Sequence, residues 1–248
     1  MPADSLQLSK NQINKAGRTL RRYFSKTQPI PTGAEARSAL GVLRNYRSAH
    51  SAALLSARMG LQSCIRTEEV LDIILSQRLK RIPTIIDKLS RQPTMALTTM
   101  ADIAGCRAVF LTQEDVNRVR ARFMSNALRR SRRSGQTFTD RVYDYVAEPR
   151  DTGYRAIHIH TTYQGMRVEV QLRTLIQHAW AVRVEDRSTE TGVDLKSGHG
   201  PEEELALYRR MAETIAEVDN EISHSADPVS AALLSPLYAA RIHRDKWL

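Results

Sequence analysis

The sequence predicts an α/β or α+β protein, a core sheet with helical segments at both ends. Three observations carry this. Met166, Val168, Val170 and Leu172 alternate with Arg167, Glu169, Gln171 and Arg173, the period-two pattern of a strand with one apolar and one polar face. Cys106-Arg-Ala-Val-Phe-Leu111 is a short apolar run of the kind a buried strand uses. Before and after this region the apolar residues recur at three- and four-residue steps, the helical period.

In chain order, residues 5–25 read as a basic helix ending near Arg18, Arg21, Arg22 and Lys26, broken by Pro29, Pro31 and Gly33. A second helix is expected over residues 34–59. A third is expected over 67–91, on Leu71, Ile74, Leu75, Leu79, Ile82, Ile86 and Leu89, with Pro83 kinking or splitting it. The strand at 106–111 comes next, then a helix over 113–128 and a loop from Arg129 to Gly135. Strands follow at 141–146, 155–163 and 166–173. Gln164-Gly165 is a hairpin turn signal between the last two, which makes that pair antiparallel. A helix starts near Leu175, a polar Gly-containing loop spans 187–201, and helices are expected at 202–224 and 229–241. In the first of these, Leu205, Leu207, Met211, Ile215 and Val218 are placed as core.

The 248 residues carry a net charge of +10, a surplus that favours polyanionic partners or, alternatively, an inert basic surface. The two cysteines, Cys64 and Cys106, form no CxxC pair, so neither a zinc site nor a disulfide framework is indicated. No secretory leader and no run approaching the ~18 apolar residues of a membrane span is visible. The chain reads as soluble and cytoplasmic, with no membrane partner.

Two carboxylates can act together. Asp102 precedes the strand at 106–111 and Glu169 lies on the polar face of 166–173, so separate strands could deliver both to one edge, where they would hold Mg²⁺. In the alternative, each carboxylate pairs with an arginine, Asp102 with Arg107 for example. Arg78, Lys80, Arg81, Thr84 and Lys88, read as one helical stretch, offer cations suited to a triphosphate or form a solvated basic face. Tyr154, after Gly153 and near Arg155 and His158, could stack on a base or fill a core.

These pieces coincide with a known family. Arg78-Leu-Lys-Arg-Ile-Pro-Thr-Ile-Ile-Asp-Lys-Leu89, Met100-Ala-Asp-Ile-Ala-Gly-Cys-Arg107, Asp144-Tyr-Val with Pro149, Gly153-Tyr-Arg-Ala-Ile-His158, and Val168-Glu-Val-Gln-Leu-Arg-Thr174 followed by His178-Ala-Trp180 appear in order. Over residues 75–200 the chain resembles the synthetase domain of RelA/SpoT homologues, the alarmone-making pyrophosphokinases. The resemblance implies a mixed sheet of about five strands related to nucleotidyltransferases. It implies transfer of the β,γ-pyrophosphate of ATP to a ribose 3′-hydroxyl, with AMP released. It makes Asp102 a Mg²⁺ ligand and Glu169 its partner or the base. It makes Arg78, Lys80, Lys88, Arg107 and Arg173 ATP contacts, Tyr154 and Arg155 acceptor contacts, and His158 and Gln171 neighbours of the transferring group. Asp151-Thr152 and Ala156 depart from the more usual residues of the acceptor segment.

The residues before this region are too few for the hydrolase domain of long family members and lack its His-Asp motif, so the chain resembles the small synthetases. The expected division is 1–70, a basic helical region; 71–200, the synthetase core; and 201–248, C-terminal helices. Arg44-Asn-Tyr-Arg-Ser-Ala-His50, Gln177-His-Ala-Trp and Leu195-Lys-Ser-Gly look most like toxic small alarmone synthetases, which implies an antitoxin partner. From Val116 to Thr139 there is no Asp or Glu, against Arg118, Arg120, Arg122, Arg129, Arg130, Arg132 and Arg133. With Arg18, Arg21, Arg22 and Lys26, these basic stretches suit a tRNA acceptor end held by its phosphates. GTP/GDP, or an adenosine nucleotide, is the alternative acceptor, giving (p)ppGpp or (p)ppApp, and a non-catalytic RNA-binding module the second alternative. Homo-oligomer formation stays open.

Overall fold

Helix α1 (Lys10–Phe24) begins where its capping chemistry dictates: the Ser9 hydroxyl accepts from the Gln12 amide, and the Gln12 side chain accepts from the Ser9 amide. The computed structural model describes residues 8–71, 73–135 and 139–224. After α1 come α2 (Gly33–Thr67), β1 (Ile74–Leu79), α3 (Ile82–Arg91), β2 (Ala104–Phe110), α4 (Gln113–Ser134), β3 (Arg141–Asp144), β4 (Ile157–Tyr163), β5 (Met166–Thr174), α5 (Leu175–Thr191) and α6 (Glu202–His224). The strands form one sheet in the order β1-β2-β5-β4-β3, flanked by helices, which is the predicted fold class. The expected helix at 229–241 lies outside the described residues.

Strand β2 is buried at all seven positions, as an inner strand must be. The β4–β5 connection is the predicted hairpin: Gln164 has φ 49° and Gly165 φ 76°, the left-handed pair a two-residue hairpin turn requires.

Four expectations need correction. There is no helix across 67–91. Helix α2 continues to Thr67, β1 occupies Ile74–Leu79, and α3 starts at Ile82. The apolar steps from Leu71 to Leu89 imitate a helical stripe, yet Leu71 is 78% exposed. Pro83 kinks nothing. It sits in the first turn of α3, where its missing N–H leaves no hydrogen bond unmade. The expected loop at 129–135 is the last part of α4, because arginine is a good helix former and the helix runs on until Gly135 closes it at φ 64°. On α6 the buried face is Leu205, Tyr208 and Ala212, while Leu207, Met211 and Val218 are exposed.

The described chain falls into two compact units. One comprises the described residues up to Met59 with Gln77–Cys106 and His160–Glu169. Its core packs Ile13, Leu20, Leu43, Ile85, Leu89 and Ile103 together. The other comprises Gly60–Ser76, Arg107–Ile159 and the described residues from Val170 onward. There Tyr154, Trp180, Val184, Leu195 and Tyr208 form a core cluster. The division passes through β5 itself, after Glu169.

Candidate active site

The polar face of β5 is not a solvated face. Only Arg167 is exposed, whereas Glu169, Gln171 and Arg173 are 9%, 8% and 2% exposed. Burying a carboxylate, an amide and a guanidinium on one strand face is costly unless each is used, so this face is functional or a structural polar network.

In the first unit a charge cluster forms around Asp102. The Lys80 and Lys88 ammonium groups both lie 2.9 Å from the same oxygen, Asp102 Oδ2. Local structure puts them there. The Lys80 amide donates to the Ile103 carbonyl at 2.8 Å, which ties the end of β1 beside the start of β2. Arg47 of α2 donates to the Lys80 and Leu79 carbonyls, at 2.7 and 3.2 Å, and fixes the same turn. Helix α3 buries Ile85, Ile86 and Leu89, which leaves Lys88 on its flank. Burial pushes the Asp102 carboxyl up, and the nearby Glu169 charge adds to that. The two lysines outweigh both and hold it below the ordinary carboxylate range. Asp102 is therefore an anion, paired with Lys80 and Lys88 and not with Arg107.

Glu169, on β5, shares this cluster electrostatically. His160 Nε2 lies 3.4 Å from Glu169 Oε1. Sequence reasoning missed His160, although the signal was present: His158 and His160 are two apart on β4 and so share its polar face. Among the described residues no group of three or more His, Cys, Asp or Glu side chains is placed to hold a metal. The carboxylates that would hold a cation are Asp102 and Glu169, whose chemistry suits a hard divalent ion. Asp102 Oδ1 is buried and makes no hydrogen bond, and both residues offer only oxygen. Arg78 lies on β1, half-buried, and completes the cations of this unit that the motifs pointed to.

In the second unit the aromatic residues gather. Tyr154 is 2% exposed and its hydroxyl is hydrogen-bonded to His158 Nε2 at 2.7 Å. The Tyr145, His158 and Trp180 rings surround it. Two cations lie over these rings, Arg150 at 4.4 Å from the Tyr145 centroid and Lys196 at 5.1 Å from that of Tyr154. Gly153 has φ 87°, and a Cβ there would sit 2.6 Å from Ala212 Cβ, so only glycine lets this turn approach α6. Arg150, Thr152, Lys196, Ser197 and Arg209 line a cavity of about 430 Å³ beside this cluster. Arg155 donates to the Val146 carbonyl at 2.9 Å. Arg173 is hydrogen-bonded to His178, and Arg107 is buried on β2.

The basic stretches are less uniform than their sequence. Arg118 pairs with Asp115 of α4 itself, Arg120 with Asp144 and Arg122 with Glu68, so acids engage three of the seven arginines of the run. Arg21 donates to the Pro93 and Gln92 carbonyls. Arg22 is half-buried and its charge reaches Glu35. Arg18, Lys26, Arg129, Arg132 and Arg133 are exposed, and Arg130 lies 5.9 Å from the Phe123 centroid.

Comparison with known proteins finds relatives over this region. The family described as the region found in RelA/SpoT proteins matches residues 77–188. The GTP pyrophosphokinase YjbM of Bacillus subtilis is 29% identical over 166 residues, covering 62% of this chain and 72% of the relative. Small alarmone synthetase 1 of Bacillus subtilis, solved with its product pppGpp, superposes with a TM-score of 0.54 at 24% identity, over 72% of this chain and 91% of that one. A GTP pyrophosphokinase family protein from Streptococcus pneumoniae gives 0.55 at 19% identity, over 77% and 95%. These two superpositions show the shared fold. The matched region, residues 77–188, contains Lys80, Lys88, Asp102 and Glu169 and is similar to the region found in RelA/SpoT proteins.

Proposed function

We propose that the chain is a pyrophosphokinase that moves the β,γ-pyrophosphate of ATP to the ribose 3′-hydroxyl of a guanosine nucleotide. The observation that carries this reading is the Asp102 cluster: a buried carboxylate with a free oxygen, two lysines on its other oxygen, and Glu169 within electrostatic reach. Phosphoryl-type transfer calls for such parts, and for no covalent nucleophile. Lys80, Lys88 and Arg78 receive the triphosphate, with Arg107 and Arg173 as further contacts to ATP. Glu169, oriented by His160, takes the proton as the 3′-oxygen attacks the β-phosphorus. The bond from that phosphorus to the α,β-bridging oxygen breaks, and AMP leaves. Asp102 and Glu169 would hold Mg²⁺, which supplies charge neutralisation on the phosphates. His158 and Gln171 are further residues of the transfer step. The acceptor base packs near Tyr154 and its 5′-phosphates take the Arg150–Lys196–Arg209 cavity. Because Tyr154 is buried under α6 residues, acceptor entry requires local opening there.

The guanosine acceptor is favoured because the curated relative named above is a GTP pyrophosphokinase and because acids of this chain engage much of the α4 basic run. A second reading, transfer to the tRNA 3′-CCA end by a toxin held in check by an antitoxin, draws on one observation. Helix α1 has five cations and no acid, and Arg18 and Lys26 near its end are exposed. Incubation with γ-labelled ATP and either GDP or tRNA decides. Label on GDP supports the first reading, label on tRNA the second, and label on neither refutes the transferase assignment. Glu169→Gln is expected to lower transfer at least a thousandfold while nucleotide binding persists; retained activity would remove Glu169 from its role.

A further inference from the structure

We propose that Lys80 and Lys88 bar the Asp102 carboxylate to free divalent cations, so that this site takes a metal only together with a nucleoside triphosphate. The inference rests on the pyrophosphokinase reading and deepens it. Lys80, Lys88, Asp102 and Glu169 sum to zero charge, and both ammonium groups sit on one oxygen at 2.9 Å. The three side chains that form these contacts are largely withdrawn from water, 12%, 25% and 19% exposed. Solvent screening is weak at such a site, and the mutual interaction correspondingly strong.

A bare divalent cation entering this cluster would face two ammonium groups with nothing to receive them. A metal–triphosphate complex brings net negative charge. Its phosphate oxygens accept both ammonium groups, and its cation meets Asp102 Oδ1, the buried oxygen that makes no hydrogen bond. The residue type suits the exchange. Lysine is a point charge on a flexible stem that can move from carboxylate to phosphate, whereas an arginine fork would grip the carboxylate with two parallel bonds. The stems are anchored, Lys80 through its backbone bond to Ile103 and Lys88 through the buried face of α3, so only the ammonium ends need move. Metal and nucleotide binding are then reciprocally coupled, each raising the affinity of the other.

Mn²⁺ binding followed by electron paramagnetic resonance tests this, with and without a non-hydrolysable ATP analogue. Wild type is expected to bind Mn²⁺ alone at least tenfold more weakly than it binds Mn²⁺ in the presence of the analogue. Lys80→Met and Lys88→Met, each shown by thermal unfolding to be folded, are expected to bind Mn²⁺ alone at least tenfold more tightly than wild type. Adding Asp102→Asn to either should abolish the gain. If wild type binds the Mn²⁺–analogue complex but both lysine variants leave the affinity for Mn²⁺ alone unchanged or weaker, the bar is refuted and the pyrophosphokinase reading stands. If wild type binds neither Mn²⁺ nor its complex with the analogue, that reading falls and takes the bar with it.

Discussion

Asp219→Asn is expected to stabilise the protein above neutral pH. Asp219, on α6, is 5% exposed, and its Oδ2 accepts from Thr174 Oγ1 at 2.9 Å and from Gln177 Nε2 at 2.7 Å. Burial pushes its carboxyl up to about 6, against the lowering effect of those two hydrogen bonds and of the Arg155 charge. A folded value raised above the unfolded one means that the native state binds the proton more tightly. The carboxyl's contribution is therefore full below its unfolded value near 3.8 and is lost as pH rises through about 6. The shift corresponds to about 3 kcal/mol. Asparagine can place its carbonyl oxygen at the Oδ2 position, keeping both donors satisfied without the buried charge. Urea unfolding followed by the fluorescence of the buried Trp180 should give equal stabilities near pH 4. The variant's advantage should grow through about pH 6 to at most about 3 kcal/mol at about pH 8. Equal stabilities at every pH, or a less stable variant at the alkaline end, would refute the argument that the Asp219 charge is borne at a cost.

Two further outcomes follow from local geometry. Gly153→Ala is expected to cost about 2 kcal/mol or more, from its positive φ and the contact with Ala212. It should also raise KM for the acceptor more than KM for ATP, and equal effects on both would separate this turn from acceptor binding. Cys106, whose thiol burial pushes up to about 12, should resist iodoacetamide at about pH 8 in the native protein and react once urea unfolds it; rapid native labelling would contradict its burial.

What the sequence shows of the fold depends on whether a pattern fits one period only. The alternation over 166–173 and the Gln164-Gly165 turn fit a hairpin and nothing else, and both are found. The apolar residues from Leu71 to Leu89 fit a helix by spacing, but β1 is six residues long and the helix that follows starts at its own proline. A strand so short offers too few alternations to outweigh a stripe drawn across two elements. The arginines after Leu128 read as a loop because charge resembles exposure. Exposure does not end a helix, and Gly135 does.

The site divides along the same line. Glu169 and Asp102 are legible as candidates from strand register and from position before a strand, both local properties. Lys80 and Lys88 are legible as cations, but Lys80 follows β1 and is not on a helix, and what the two lysines hold is set by pairing across the chain, 22 residues apart for Lys80 and Asp102. The same holds for Gln177 and Asp219, 42 residues apart. The burial of the β5 polar face was equally out of reach. A strand reading polar on one side is identical in sequence whether that side meets water or other protein groups. The difference lies in which distant elements cover it, and covering without partners would be costly. Three buried polar side chains in succession on one strand face thus carry more information than the alternation itself, because a solvated strand would have left them all as exposed as Arg167.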